Sequence, residues 1–253
     1  MIRDPRHQIE LIDGSWLNHR WLGGEIKGLL KDGLPGWYDS LSPRDSDPDP
    51  IPQMNGSYWP ALLNVQHRIV TIRGVHRAGW SGSSLQITAF RDLLVSMVGE
   101  PLLIEVEDQA GLRRARGFVS AQIPLDMPDG RTTTFSLIIT CLDPLKYGPA
   151  VLFSPSDGGV LVENNGTSSV APVFVVSGLV SRFTASLGGQ KVAWAGPTGD
   201  GLLLDAADGL PMRGGVVTGT LTEDDFFKVP PGQSQIGVSS DGQVQIEVSP
   251  GWL

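Results

Sequence analysis

Few residues of this 253-residue chain are equipped for covalent or metal chemistry, and their spacing is wrong for each such role. The four histidines, His7, His19, His67 and His76, show no His-x-x-x-His spacing, and the single cysteine, Cys141, can build neither a thiolate zinc site nor an internal disulfide. Cys141 ends the alternating run Phe135, Leu137, Ile139, Cys141, so it reads as a small buried hydrophobe; a nucleophile needs an electropositive, accessible setting. Gly79-Trp80-Ser81-Gly82 has its second glycine one place too early for a nucleophile elbow and reads as a turn. Asp45-x-Asp47-x-Asp49 begins like a calcium loop, but Pro48 and Pro50 interrupt it and neither the turn glycine nor the terminal Glu follows. No Gly-rich loop runs into Lys-Ser/Thr, and no Gly-x-Gly-x-x-Gly lies between a strand and a helix, so nucleotide phosphates have no cradle. The expectation is a protein without catalytic residues, metal or cofactor.

What remains is surface for binding. Five of the seven tryptophans, Trp16, Trp21, Trp37, Trp59 and Trp80, fall in the first 80 residues. Tryptophan is enriched at protein interfaces, where it buries much area and keeps a polar handle; core packing and sugar stacking are the competing uses. Arg113, Arg114 and Arg116 form the one basic cluster, on a hairpin, either as a solvated face or as a contact with a subunit or nucleic acid. Aromatic residues on turns without a catalytic motif favour a binding or assembly protein over an enzyme.

The elements that carry these residues change character along the chain. Short apolar clusters broken by Asp13-Gly14 predict short strands over the first thirty residues. From 31 to 60 prolines and glycines dissolve the pattern, yet Trp37, Tyr38, Tyr58 and Trp59 lie there, so the stretch reads as an arm that docks. Val65 to Val75 alternates as a strand. Ser83 or Ser84 then caps one helix with apolar positions Ile87, Phe90, Leu94, Met97 and Val98, stopped by Gly99 and Pro101. A hairpin turning at Asp108 to Gly111 and the strand ending at Cys141 follow. Beyond Tyr147 short strands alternate with Asp157-Gly158, Asp200-Gly201, Asp208-Gly209 and Asp241-Gly242 turns, the texture of a β-sandwich. The expected domains are residues 1–148, with the arm at 31–60, and 149–253.

Charge divides in the same way. Lys and Arg number 15 against 17 Asp and Glu up to residue 149, and 4 against 10 after it, giving the net charge of -8. That balance argues against general attraction to nucleic acid, so no sequence-specific nucleic-acid binding is expected. No apolar run reaches the roughly 18 residues of a membrane span, and the polar start predicts a soluble protein made in a cytoplasm.

Three stretches carry a family resemblance. They are a strand ending Arg73-Gly74 before the turn and helix to Val98; the closing Cys141-Leu142-Asp143-Pro144-Leu145-Lys146-Tyr147-Gly148; and Val162-Glu163-Asn164-Asn165-Gly166-Thr167, followed by Ala171-Pro172-Val173 through Ser177-Gly178. With the final Pro250-Gly251-Trp252 they make the chain resemble the distal tail protein (Dit) of long-tailed, non-contractile bacteriophages and related tail-like particles. The resemblance implies a mainly β protein with one helix: an N-terminal tail-tube-like split β-barrel plus helix, and a C-terminal galectin-like or carbohydrate-module-like β-sandwich projecting outward. It implies a structural role at the virion tail tip, in a baseplate assembled in the host bacterial cytoplasm. The partners it implies are copies of the chain itself in a homohexameric ring, the tail tube protein, the tail-associated hub protein and receptor-binding or fibre proteins. It brings no catalytic residues and marks Asp143, Pro144, Tyr147, Gly148, Asn165, Gly166, Pro172 and Gly178 as structural positions. The arm and the arginine hairpin are the candidate contacts. The alternative reading is a carbohydrate-binding module that recognises a host cell-surface glycan.

Overall fold

Along Arg68–Arg77 every second residue, Arg68, Val70, Ile72, Gly74 and His76, is buried, and the residues between them are exposed or half-buried. A strand with one wet face and one dry face closes a barrel or lines a sandwich. In the computed structural model the described residues are 7–12, 19–21, 26–30, 33–44, 49–59, 64–77, 84–129, 132–155 and 159–253; for 7–12, 19–21, 26–27, 84 and 129 the description covers the backbone alone. The chain divides into two compact units, Met1–Lys146 together with Leu253, and Tyr147–Trp252.

The first unit contains β1 His7–Ile12, β2 His19–Trp21, β3 Ile26–Leu29, β4 Arg68–Arg77, α1 Ser84–Ser96, β5 Pro101–Asp108, β6 Gly111–Val119, β7 Leu125–Asp129 and β8 Thr132–Cys141. The strands run in the order β6-β5-β1-β2-β3-β4-β8 and return to β6 through Phe118↔Thr140 and Val119↔Ile139, so the sheet closes on itself. Closure removes the free edges that would otherwise pair with other chains. The β1–β5 pairing is parallel and its neighbours are antiparallel. Val70, Ile72, Ile104, Leu137 and Ile139 fill the interior, and α1 adds Phe90 and Leu94, with Met97 just past its end, to the same core. Phe90 meets Phe135 edge-on at 5.4 Å and His76 at 4.6 Å. Val98, read from the sequence as part of the apolar helix face, is instead half exposed and lies past the helix end, bridged to Val119.

The chain continues through β9 Lys146–Tyr147, β10 Val151–Phe153, β11 Val160–Asn164, β12 Val173–Leu187, β13 Gln190–Asp205, β14 Pro211–Arg213, β15 Val216–Val217, β16 Thr220–Asp224, β17 Gly232–Ser240, β18 Gln243–Val248 and β19 Gly251–Trp252. The long hairpin β12–β13 is shared by two layers. Its turn-distal half pairs in the order β10-β18-β12-β13-β14-β15, and its turn-proximal half in the order β11-β17-β12-β13-β16. Register shifts at Val176/Leu179 and Val180/Arg182 mark where β12 passes from one layer to the other. Phe174, Phe183 and Phe227 pack between the layers at ring separations of 5.1 and 5.9 Å. Where short strands were expected beyond Tyr147, β12 and β13 are instead two long bent strands. The chain is mainly β, with α1 the one helix among the described residues, in curled sheets.

Candidate assembly interface

The arm begins as a continuation of β3. Leu30 N–H donates to Arg73 O (3.0 Å), Arg73 N–H to Gly33 O (2.8 Å) and Thr71 N–H to Pro35 O (2.9 Å), so residues 30–35 run along β4. The chain then turns sharply at Gly36, whose φ is +85°. Asp39 Oδ2 accepts from the Gly36 N–H at 2.7 Å and closes the turn.

Two cations fasten this root from inside the unit. Arg68, fully buried, donates through Nη1 to Gly36 O (2.7 Å) and more weakly to Trp37 O and Asp39 O (both 3.4 Å), and through Nε to Pro144 O (3.0 Å). Lys146, 4% exposed, donates from Nζ to Trp37 O at 2.9 Å and lies 5.6 Å from the Trp37 ring centre. Burial is the main cause pushing the Lys146 ammonium down to about 8, with Arg68 and Arg113 adding repulsion. Burial also lowers Arg68 from the ordinary guanidinium range. The Cys141 thiol is fully buried and pushed up to about 11 by desolvation, the opposite of an activated nucleophile.

Beyond the root the arm is a hairpin finger. Arg44 N–H to Asn64 O (2.8 Å), Gln66 N–H to Ser42 O (3.0 Å) and the Pro43↔Val65 bridge form one short ladder. Tyr58 N–H to Asp49 O (2.9 Å), Ile51 N–H to Gly56 O (3.0 Å) and the Pro50↔Ser57 bridge form the tip. At that tip Met54 is 71%, Tyr58 58% and Trp59 85% exposed. Tyr38, also 58% exposed, donates from its hydroxyl to Asp108 Oδ2 at 2.9 Å, at the β5–β6 turn. Desolvation, then the Asp108 hydrogen bond and charge, raise the Tyr38 phenol to about 12.

The four aromatic residues proposed as contacts thus separate. Trp37, at 1% exposure, is a core residue, which corrects its reading as a contact side chain: the root it anchors must be buried to hold the finger in place. Tyr38, Tyr58 and Trp59 are exposed. The three arginines also separate, because neighbouring residues of β6 point to opposite faces. Arg113 is half-buried on the face of Ala115, Arg114 pairs with the buried Glu105 on β5, and Arg116 is exposed. Arg68 and Lys146 were not foreseen as anchors, although Arg68 occupies an inward position of an alternating strand.

Several of the motif positions make main-chain contacts. Asp143 Oδ1 accepts the Leu145 N–H (3.0 Å), shaping the turn that presents Pro144 O to Arg68. Gly148 N–H donates to Pro250 O (2.9 Å), and Pro172 O accepts from Ala206 N–H (3.0 Å). Tyr147 is half-buried, Asn165 is exposed, and Gly178 sits at the register shift of β12. Gly166 approaches Gly251 so closely that a Cβ would overlap that backbone. Asn164, 1% exposed, holds the loop by donating to Ser168 O (2.9 Å) and Val229 O (3.0 Å) and accepting from Gly166 N–H (3.0 Å).

Trp16, Trp80, the Gly79 to Gly82 turn, Ser83, Asp45, Asp47 and the Asp157-Gly158 turn lie outside the described residues. Among the described residues no group of three His, Cys, Asp or Glu is placed to hold a metal ion, and no helix is long and apolar enough to cross a membrane. In the second unit Phe174, Phe183, Trp194 and Phe227 are all buried. The cleft there, about 640 Å³, is lined by Ser154, Ser177, Ser239, Ser240, Gln243 and Gln245 among others, without an aromatic platform.

No protein-family model matches the sequence, and a comparison with curated proteins finds no match. Among solved structures the chain is similar to SPP1 Dit, described as "a Paradigm of Hub Adsorption Apparatus in Gram-positive Infecting Phages". The likeness has a TM-score of 0.59 at 13% identity and covers 90% of this chain and 94% of that one. With its closed barrel, one helix among the described residues and layered second unit, the chain has the fold of the phage distal tail protein Dit.

Proposed function

We propose that the protein is a structural hub of a phage tail tip, in which identical copies form a ring that joins the tail tube to the tip complex. The observation that carries this reading is a rigidly rooted finger with exposed Tyr58 and Trp59 on a barrel of the Dit fold. A large apolar tip held out in water is a cost to a monomer and a gain to an assembly. As the family resemblance implies, the ring is a homohexamer. Its partners are the tail tube protein, the tail-associated hub protein and receptor-binding or fibre proteins, and the acidic second unit faces solvent. Shape is the product, and no step of chemistry is assigned to any side chain.

Glycan binding by the second unit is the weaker reading, because its core takes Phe174, Phe183, Trp194 and Phe227 and its cleft has no aromatic ring on which a sugar could stack. Immunogold labelling of purified phage or tail-like particles with antibody against the second unit tests the proposal. Gold confined to the distal end of the tail supports it; gold on the head, or particles that never label, contradicts it.

A further inference from the structure

The first unit carries a hollow as well as a knob. A cleft of about 600 Å³ is lined by Leu30, Arg73, Ile123, Pro124, Leu125 and Phe135, among others. Clefts of roughly 300–1,000 Å³ accept groups the size of one or two ring systems. The finger tip is already ordered by its own main-chain ladder, so little freedom remains to be lost when it docks.

We propose that Tyr58 and Trp59 of one copy seat in this cleft of a second copy, head to tail, as the repeating contact of the ring; the inference rests on the ring reading above. Charge favours the pairing. Residues 33–59 carry Asp39, Asp45, Asp47 and Asp49 against Arg44 alone. The outer face of β4 beside the cleft presents exposed Arg73 and Arg77. An arginine over an indole adds cation–π attraction as water leaves. The finger springs from residues 64–66, before β4 begins, whereas the cleft lies beside Arg73. At about 3.3 Å per residue, the 64–66 ladder at the base of the finger and the cleft are roughly 20 Å apart along the chain. The tip of the same copy is exposed and does not fill its own cleft. A knob and a hollow at different places on one surface make a heterologous contact, the kind that closes into rings.

Cysteine cross-linking tests the pairing, because the native Cys141 is the one cysteine and is buried. The full-length double variant Tyr58→Cys with Gln122→Cys, exposed positions at the tip and the cleft rim, is oxidised mildly and run without reductant. The expected result is a ladder of covalent multimers from the double variant and nothing beyond dimer from either single variant. No ladder, while native mass spectrometry shows the same protein as a ring, overturns the contact and leaves the ring. A wild-type chain that stays monomeric overturns both. As a second arm, Trp59→Ala and Leu125→Arg are each expected to raise the concentration needed for assembly at least tenfold. Mixed together they are expected to give a one-to-one dimer, since each supplies the half the other lacks. Rings from both variants at wild-type concentrations contradict the proposal.

Discussion

Lys146 Nζ donates to the main-chain carbonyl of Trp37 at 2.9 Å, across 109 residues of sequence. The contact ties the motif that closes the first unit to the root of the arm, and Arg68 ties the same root to Pro144. Two buried cations hold carbonyl oxygens there, so the finger projects from a fixed base.

The buried ammonium makes stability depend on alkaline pH. Burial lowers Lys146 from 10.5 to about 8, so between those values the unfolded chain binds the proton and the folded chain does not. Stability contributed by this group therefore rises as pH goes from about 8 to 10.5, by at most about 3.5 kcal/mol at about 1.4 kcal/mol per pKa unit and by less where solvent screens the ammonium. Urea unfolding of wild type and Lys146→Met checks it: the difference in stability between them should be flat below pH 8 and shift in favour of the wild type between pH 8 and 10.5.

Gly36 carries the turn into the arm. An alanine there would need a left-handed backbone, at roughly 1–2 kcal/mol, and its Cβ would overlap the Ile69 carbonyl oxygen. Gly36→Ala is expected to destabilise the first unit by about 2–4 kcal/mol, read as a lower melting temperature. A melting curve identical to wild type would show that the root is not rigid.

Asn164 satisfies three main-chain groups while almost wholly buried. Asn164→Ala leaves those groups without side-chain partners and should cost about 2–4 kcal/mol. Limited proteolysis in the loop around Gly166 should accelerate in the variant.

Asp241 caps the β12 bulge, accepting from Ser181 Oγ (2.6 Å) and from the Ser181 and Arg182 amides (3.1 Å each). These hydrogen bonds, the Ser181 side chain first, hold its carboxyl down at about 2. Its stabilising contribution is complete above its ordinary value of 3.8 and is lost as pH falls towards 2. Asp241→Asn should flatten the acid limb of the second unit's stability curve between those values.

Local pattern made the barrel interior legible. The alternation of Phe135, Leu137, Ile139 and Cys141 placed all four side chains inside, and of the apolar positions Ile87, Phe90, Leu94, Met97 and Val98 read at three- and four-residue spacing all but Val98 are buried, Met97 just past the helix end. The long strands β12 and β13 were not legible, because glycines at 178, 196, 199 and 201 look like strand ends where they permit bulges and bends. The arm was visible as an aromatic stretch, but period and propensity do not say which ring is inside. Trp37 packs into the hydrophobic core while Arg68 and Lys146, distant in sequence, bind its carbonyl, whereas Trp59 is exposed. The resemblance quoted on the closing motif covered Lys146 without revealing its task; the odd charged residue at an inward strand position, Arg68, was the available signal.

Tiling around an axis is what all these features are held to serve, and electron microscopy of the purified full-length chain in negative stain reads it most directly. Rings with an open centre, of uniform diameter and built from a fixed number of copies, are the predicted result. Single particles of one-chain mass persisting at high protein concentration would contradict it.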